Sequence, residues 1–394
     1  MEHVPLLVLG AGPYGLATAA LARSHGIKTV VVGEPMGFWR RHMPPGMLLR
    51  SGVDWHLDPL GVHTLRGYLE EAGIDEADAR PFPVELFIDY ADWYARQAGV
   101  EAIGKTVTAL RRGDGHDFAA TFEDGSSLAA DAVVATPGLR HFAWVPPEVR
   151  ESLAPQHYSH TCTTTRFDHL QGSRVLVLGG RQSAFEWAAL LAEQAGAEVE
   201  IVFRHDRPRF ETSDWSFVDP MLEQTVRERG WFRRLPPSER DAIRKRFWSE
   251  GRLKLEPWLE GRINRPPIRI WPNQRVLGYA ERPEGGIEAR LGDGLRLVVD
   301  HVILATGYVT HMTRVPYLAA GDLLRHVELH NGAPALDEDL QASVPGLFFP
   351  SWPSTEDFGP FFGFVAGVPA AARMMVARLM QAHHPGNLRT RSPA

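Results

Sequence analysis

The chain has 394 residues, 44% of them hydrophobic, and a formal net charge of -6. That length buries a large core and divides most naturally into two domains, and mild acidity without a long charged run points to small molecules rather than nucleic acid. A single cysteine, Cys162, excludes a disulfide framework, a thiolate zinc site and a redox-active Cys-x-x-C pair.

Met1-Glu2-His3 carries no basic leader, and no apolar run approaches the ~20 residues of a membrane helix, so a cytoplasmic protein without a membrane partner is expected. Leu6-Leu7-Val8-Leu9 suits a strand buried on both faces of a parallel sheet. Gly10, Gly12 and Gly15 follow at G-x-G-x-x-G spacing, with Pro13 inside the turn, and Leu16 to Ala22 reads as a helix with small residues toward the sheet. Gly10 allows the tight turn, Gly12 lets a pyrophosphate approach the backbone, and Gly15 lets helix and strand pack closely. The helix N-terminus offers free N–H groups to phosphate. After a second strand, Lys28 to Val32, Glu34 stands 19 residues beyond Gly15, where an acid can bind ribose hydroxyls.

Val175 to Leu178 is again an apolar strand, followed by Gly179 and, at the third motif position, Ala184. Arg181 replaces the second glycine. Close backbone approach is lost there, but a guanidinium suits bidentate phosphate binding; the other reading is a lost site with Arg181 in solvent. Gln182, Ser183 and Glu186 are polar residues near the helix start, and Ser183 can cap N–H groups or touch phosphate. After the strand Val199 to Phe203, Arg204, His205 and Arg207 stand where an acid would favour NADH; basic residues favour a 2′-phosphate and hence NADPH, with NADH the alternative. Each corner is followed by hairpin-like strands and an apolar strand ending in a small-residue turn, at Asp131 to Gly138 and at Asp300 to Tyr308. Two such units imply two nucleotide cofactors.

Residues 205 to 275 match no nucleotide-domain element and carry several tryptophans. Substrate recognition is one reading of this insertion; a helical lid or subunit contact is the other. The expected fold class is α/β, with two Rossmann-like dinucleotide-binding domains: residues 1–160 and 298–394 bind FAD, and the NAD(P)H domain, 161–297, is inserted between them. The last residues, Pro385 to Ala394, read as a mobile tail.

Together these motifs resemble the flavin-containing monooxygenase superfamily, including the N-hydroxylating monooxygenases. The resemblance rests on the G-A-G-P-Y-G corner with Glu34, on Phe38-Trp39-Arg40 and Met47-Leu48-Leu49-Arg50-Ser51, and on Ala135-Thr136-Pro137-Gly138. It rests also on Gly179-Gly180-Arg181-Gln182-Ser183-Ala184 and Leu304-Ala305-Thr306-Gly307-Tyr308. It implies FAD on Gly10, Gly12, Pro13, Gly15 and Glu34, with the Trp39 to Ser51 segment, including Arg40, Met47 and Leu48, beside the flavin. It implies NADPH on Gly179, Arg181, Gln182, Ser183, Ala184, Arg204 and Arg207, with Thr306 and Gly307 near the cofactors. By analogy, Asp357 and Gly359 return the chain to the FAD domain and cover the ring. Where many flavoproteins place Gly-Asp after the last strand, this chain has Phe348-Phe349-Pro350-Ser351.

The implied activity is that of a monooxygenase: NADPH delivers hydride to flavin, and a flavin C4a-peroxide transfers one oxygen atom to a small molecule. Cofactor chemistry of this kind needs no Ser-His-Asp arrangement, carboxylate pair or metal cluster, and none is evident. His56 could assist a proton transfer or make only a structural hydrogen bond. A disulfide-type flavin reductase lacks its cysteine pair. A non-catalytic FAD-binding redox sensor stays open through Arg181 and Ser351. Gly180 to Trp187 and Ser213-Asp214-Trp215 resemble a bacterial branch that includes a FAD-dependent urate hydroxylase, which suggests urate or a similar heterocycle as substrate. The alternative is N-hydroxylation of a small amine. Arg209, Asp214 and Trp215 are the candidate substrate residues, molecular oxygen is the co-substrate, and a homodimer is left open.

Overall fold

The computed structural model describes residues 2–113 and 117–383; the expected tail, Pro385 to Ala394, lies outside them. The first apolar run becomes the strand Glu2–Leu9, in which Val4, Leu6, Leu7 and Val8 have no exposed surface. Burial on both faces follows from its central place: Thr29–Val32 and Ser127–Ala135 flank it in parallel, with Leu6 opposite Thr29 and Ala132. Ala102–Ile103 extends one side, while Phe118–Phe122 and Val107–Arg112 continue the other in antiparallel fashion. Leu347–Phe348 returns from late in the sequence to pair in parallel with Val133 and Val134.

The helix Pro13–Ser24 begins on a proline, whose missing N–H is one a first turn leaves unused anyway. Its buried Ala17, Ala19 and Ala22 let it lie between the first sheet and the C-terminal helix Val368–His383. The Tyr14 hydroxyl lies within hydrogen-bonding reach of the carbonyl oxygens of Phe362 and, at 2.9 Å, Phe364.

A second sheet is parallel throughout, in the order Ile268–Trp271, Glu198–Val202, Arg174–Leu178, His301–Leu304, Tyr158–His160. This pairing moves three expected boundaries. Arg174–Leu178 needs a hydrogen-bonded neighbour on each edge, and His301–Leu304, expected in the first domain, supplies one of them. Tyr158–His160 extends the same side. Ile268–Trp271 is the opposite edge strand, so the inserted segment ends before it rather than at 275. Three antiparallel strands, Val276–Glu281, Ile287–Leu291 and Arg296–Val299, lead into the returning strand.

The helices of the insertion, Val218–Arg227, Trp231–Arg234 and Pro237–Trp248, pack on the first unit rather than the second. Phe217, Val218, Leu222, Phe232 and Phe247 are buried in one apolar cluster with Leu6, Val8 and Val134 of the first sheet. Each such side chain contributes on the order of 1.5–3 kcal/mol by leaving water. Arg373 of the C-terminal helix pairs with Glu223 across this seam. Among the described residues no helix is long and apolar enough to cross a membrane, and no cluster of His, Cys, Asp or Glu could hold a metal ion.

Two histidines, His160 buried and His301 half-buried, lie in the second sheet. His160, 5% exposed, donates from Nε2 to the Gly307 carbonyl at 3.0 Å and accepts the Cys162 amide at Nδ1 at 3.2 Å. Only the neutral ring can do both, and burial pushes its pKa down to about 4. Burial, with His169 and His157 nearby, pushes His301 to about 4 as well. Both folded values lie below the ~6.5 of an unfolded chain, so this stability is complete above ~6.5 and is lost as pH falls toward 4. His160 alone is expected to remove about 2 kcal/mol by pH 5. Urea midpoints at pH 7 and pH 5 measure the loss, and His160→Gln is expected to shrink the difference.

Candidate functional site

The first corner separates two uses of glycine. A Cβ on Gly15 would sit 1.9 Å from the Gly10 carbonyl oxygen, and one on Gly10, at φ +112°, would sit 2.3 Å from Thr136 Oγ1. Helix, strand and the Thr136 turn therefore converge only around glycine. A Cβ on Gly12 would meet nothing within 4 Å, so the protein itself makes no demand there, and the space lies beside a helix start with no side-chain cap. These are the features a pyrophosphate needs: open backbone and free N–H groups. Glu34 follows the second strand and is half-exposed, its carboxylate paired with Arg41. A ribose would have to compete with that pair.

The second corner repeats the geometry with a different residue. Gly179 has φ +146°, and its Cβ would fall 2.5 Å from the Ala305 carbonyl oxygen. Ala184, fully buried, takes the place of Gly15. Arg181 has the extended backbone of Gly12, φ −117° and ψ −179° against φ −87° and ψ −173°, and both residues immediately precede the corner helix. A side chain is thus sterically allowed at this position. Ser183 is exposed in the first turn, and Gln182 is half-buried.

Arg181 lies between two further arginines. Arg204 comes from the end of Glu198–Val202, and Arg252 from a single π-helical turn, Ser249–Leu253, a form frequent at functional positions. Burial and Arg204 lower the Arg181 pKa; burial, Arg181 and Arg50 lower that of Arg252 to about 10. None of the three makes an ion pair or side-chain hydrogen bond among the described residues. Arg204 is exposed, but Arg181 and Arg252 are partly desolvated like charges without a counter-ion, which is costly. A bound polyanion relieves that cost. Arg252 was not singled out from sequence, because its place at the corner depends on the folding of the insertion. Arg207 does not join the trio: it bonds to Asn264 and lines a separate groove with Arg209 and Arg269, where Arg209 pairs with Glu211 at 3.4 Å.

The segment from Trp39 to Ser51 runs between the two units. Trp39 stacks on Phe87 at 4.8 Å, and Arg40 pairs with Asp92. Met47 is buried among second-unit residues such as Ala184 and Trp187. The Leu48 amide donates to Glu186 Oε1 at 3.2 Å, and the Leu49 amide to Phe82 at 2.7 Å. Ser51 lines a small apolar pocket with Leu49, Trp55, Phe82 and Phe87. Arg50 turns to the insertion and pairs with Glu256 at 2.8 Å.

Other candidates disperse. His56 has a buried Nδ1 with no hydrogen-bond partner, and burial lowers its pKa against the opposing pull of Asp58, Asp54 and Asp219. Asp214 pairs with Arg246 at 3.1 Å, while Trp215 packs on Trp55 at 5.8 Å and on Phe247 at 5.3 Å. Arg209 is therefore not gathered with them. Asp357, expected over the flavin, accepts the Leu336 amide and pairs with Arg233, both at 3.2 Å. Gly359, at φ +94°, has its Cβ direction filled by the Phe361 ring at 2.7 Å. Asp357 thus ties the insertion to the C-terminal segment, and the Phe232 ring of the insertion lies 3.2 Å from the same Cβ position. Thr306 donates to the Trp144 carbonyl, and the Gly307 carbonyl receives His160. Ser351, where a glycine is common, has φ +71° and ψ −146°, a glycine-type conformation carrying on the order of 1–3 kcal/mol of strain.

A family model described as pyridine nucleotide-disulphide oxidoreductase matches residues 4–230, more than half of the chain. The chain belongs to this family. Its one cysteine, Cys162, is buried, so this chain has no dithiol pair for the disulphide chemistry in the family's description. A FAD-dependent urate hydroxylase of Xanthomonas campestris is 30% identical over 217 residues, which are 50% of this chain and 45% of that protein. The match thus spans less than half of that relative's own length. A ferredoxin–NADP reductase of Thermus thermophilus is 26% identical over 351 residues, 88% of this chain and 84% of its own. Among solved structures, the reduced ornithine hydroxylase of Pseudomonas aeruginosa superimposes with a TM-score of 0.75 at 18% identity, covering 96% of this chain and 99% of that one. At that identity the likeness is one of fold: a mixed α/β protein with two Rossmann-like units.

Proposed function

We propose that this protein is a FAD-dependent monooxygenase that draws electrons from NADPH and oxygenates a small molecule. The observation that supports it most is the unpaired trio Arg181, Arg204 and Arg252 at the second corner, beside the Met47–Ser51 segment that leads back to the first. FAD, when bound, supplies the two-electron and oxygen chemistry. The chain's own residues bind and orient. Gly12 leaves backbone N–H groups open to a pyrophosphate, and Glu34 takes ribose hydroxyls in exchange for Arg41. Arg181 and Arg252 neutralise the second pyrophosphate, and Arg204 takes the 2′-phosphate. His56, next to Trp55 in the chain, is the candidate proton acceptor: burial lowers its pKa and its Nδ1 has no hydrogen-bond partner.

The urate hydroxylase relative makes urate or a similar heterocycle the first substrate to try, and the fold likeness to an ornithine hydroxylase makes a small amine the second. We take the enzyme to be cytoplasmic, with oxygen and a small molecule as partners. Oxygen uptake by the purified flavoprotein, with NADPH or NADH and with urate and amines, tests the reading. Substrate-dependent uptake with NADPH preferred is expected. Electron delivery only to an added iron–sulfur protein would instead favour the activity of the Thermus relative, which aligns over most of the chain. Absence of flavin reduction by either nucleotide would leave a non-catalytic FAD protein.

A further inference from the structure

Two hydrogen-bonded paths leave the second corner helix for the Met47–Ser51 segment, and both start at Gln182. Gln182 Nε2 donates to Glu186 Oε2 at 3.3 Å, and Glu186 Oε1 accepts the Leu48 amide at 3.2 Å. Gln182 Oε1 accepts the Glu256 amide at 3.2 Å, and Glu256 Oε1 receives Arg50 Nε at 2.8 Å. The other Arg50 nitrogens donate to the Gly251 carbonyl and to Ser213 Oγ, each at 2.6 Å. Glu186 is only 2% exposed and Glu256 7%. Arg262, 3.4 Å from Glu186, offsets part of its charge, yet burial still raises the Glu186 pKa. Burying an ion pair in this way adds little net stability compared with apolar packing. Its return is geometric, because each acceptor grips one main-chain or guanidinium donor of the opposite unit.

We propose that Gln182, Glu186 and Glu256 form a positioning bridge that fixes the Met47–Ser51 segment relative to the second corner. None of the three is a catalytic residue; each acts through Leu48 or Arg50. The inference rests on the two-cofactor reading above. Whatever the segment lines and whatever the corner holds then keep a constant separation, and reactions between two bound groups lose about 100-fold for ~1 Å of misplacement. Loosening the bridge should therefore slow transfer without weakening binding.

The test compares Glu186→Leu, Glu186→Gln and Glu256→Met with the unaltered flavoprotein. Anaerobic stopped-flow reduction by NADPH, the isotope effect with deuterated NADPH, the NADPH Kd, FAD content and hydrogen exchange at the Leu48 amide are read together. Glu186→Leu is expected to lower the limiting reduction rate ~10–100-fold, raise the isotope effect and speed Leu48 exchange, with FAD retained and Kd within about threefold. Glu186→Gln should recover most of the rate, since its amide oxygen still accepts from Leu48. Glu256→Met, which cuts the second path at its Arg50 contact, carries the test if Glu186→Leu does not fold. Limiting rates within about twofold of the parent, or losses matched by lost FAD or a raised Kd, would overturn the bridge alone. If the parent protein is reduced by neither NADPH nor NADH, the two-cofactor reading falls first and the bridge falls with it.

Discussion

Gly15→Ala is expected to yield little or no folded protein, whereas Gly12→Ala should fold normally and lose its flavin. The two positions are three residues apart in one motif, yet they answer to different constraints. At Gly15 a methyl group would lie 1.9 Å from the Gly10 carbonyl oxygen. Both atoms are backbone-anchored, so relief requires the helix Pro13–Ser24 to move off a strand that is buried on both faces. Overpacking of this type costs about 3 kcal/mol or more, and here it falls on the most buried part of the first unit. At Gly12 the backbone is extended with φ −87°, and the methyl group meets nothing within 4 Å. The cost to the protein alone should stay within about 1 kcal/mol. The space it fills is the space a pyrophosphate would occupy. Thermal melting of the flavin-free proteins, together with flavin absorbance after purification, separates the cases: a large loss of melting temperature for Gly15→Ala, and an unchanged melt with at least ~10-fold less FAD for Gly12→Ala. Full FAD content in Gly12→Ala would place the phosphates elsewhere.

Arg252→Met is expected to raise the NADPH Kd about 10–100-fold, since a charged hydrogen bond to phosphate is worth ~1.5–3 kcal/mol. Methionine keeps much of the apolar stem and removes the charge. The nucleotide-free protein should be no less stable for the change, because Arg252 has no carboxylate partner among the described residues and stands beside Arg181 and Arg50. Arg204→Ala should act selectively, bringing NADPH down to the affinity of NADH while leaving NADH as it was. If Arg252 meets the pyrophosphate, its loss weakens both nucleotides alike. Titrations of both variants with both nucleotides give four constants, and unchanged binding throughout would remove the arginines from the site.

Both corners were legible in the sequence because each is local: strand, glycine turn and helix follow one another within about 25 residues, and the contacts that demand Gly15 fall within that span, whereas the Thr136 turn that crowds Gly10 comes from a distant strand. The departure at Arg181 was legible for the same reason. The rest depends on contacts between distant segments. Tyr158–His160 and His301–Leu304 are short strands, the first of them Tyr-Ser-His, whose membership of the second sheet follows from pairing with Arg174–Leu178 or with each other, which no local pattern encodes. Arg252 reads as one arginine among many on a charged helical stretch until the insertion folds back over the second corner. Glu186 reads as a solvated helix residue, though it is the buried acceptor of the Leu48 amide. Asp357 and Gly359 were assigned by analogy, and their neighbours in the insertion, Arg233 and Phe232, reflect how this chain's insertion meets its C-terminal segment.

The matching backbones of Gly12 and Arg181 give the two corners different sensitivities to their surroundings. A corner that meets pyrophosphate with backbone N–H groups is less sensitive to dissolved ions than one keyed by three arginines, which is screened as the Debye length shortens from about 10 Å at 0.1 M salt to about 3 Å at 1 M. Occupancy of the second corner should thus follow ionic strength and the pool of competing phosphorylated metabolites, while the first holds its ligand across the same range. The electron supply to this protein would then respond to the ionic state of its compartment with no dedicated regulatory site.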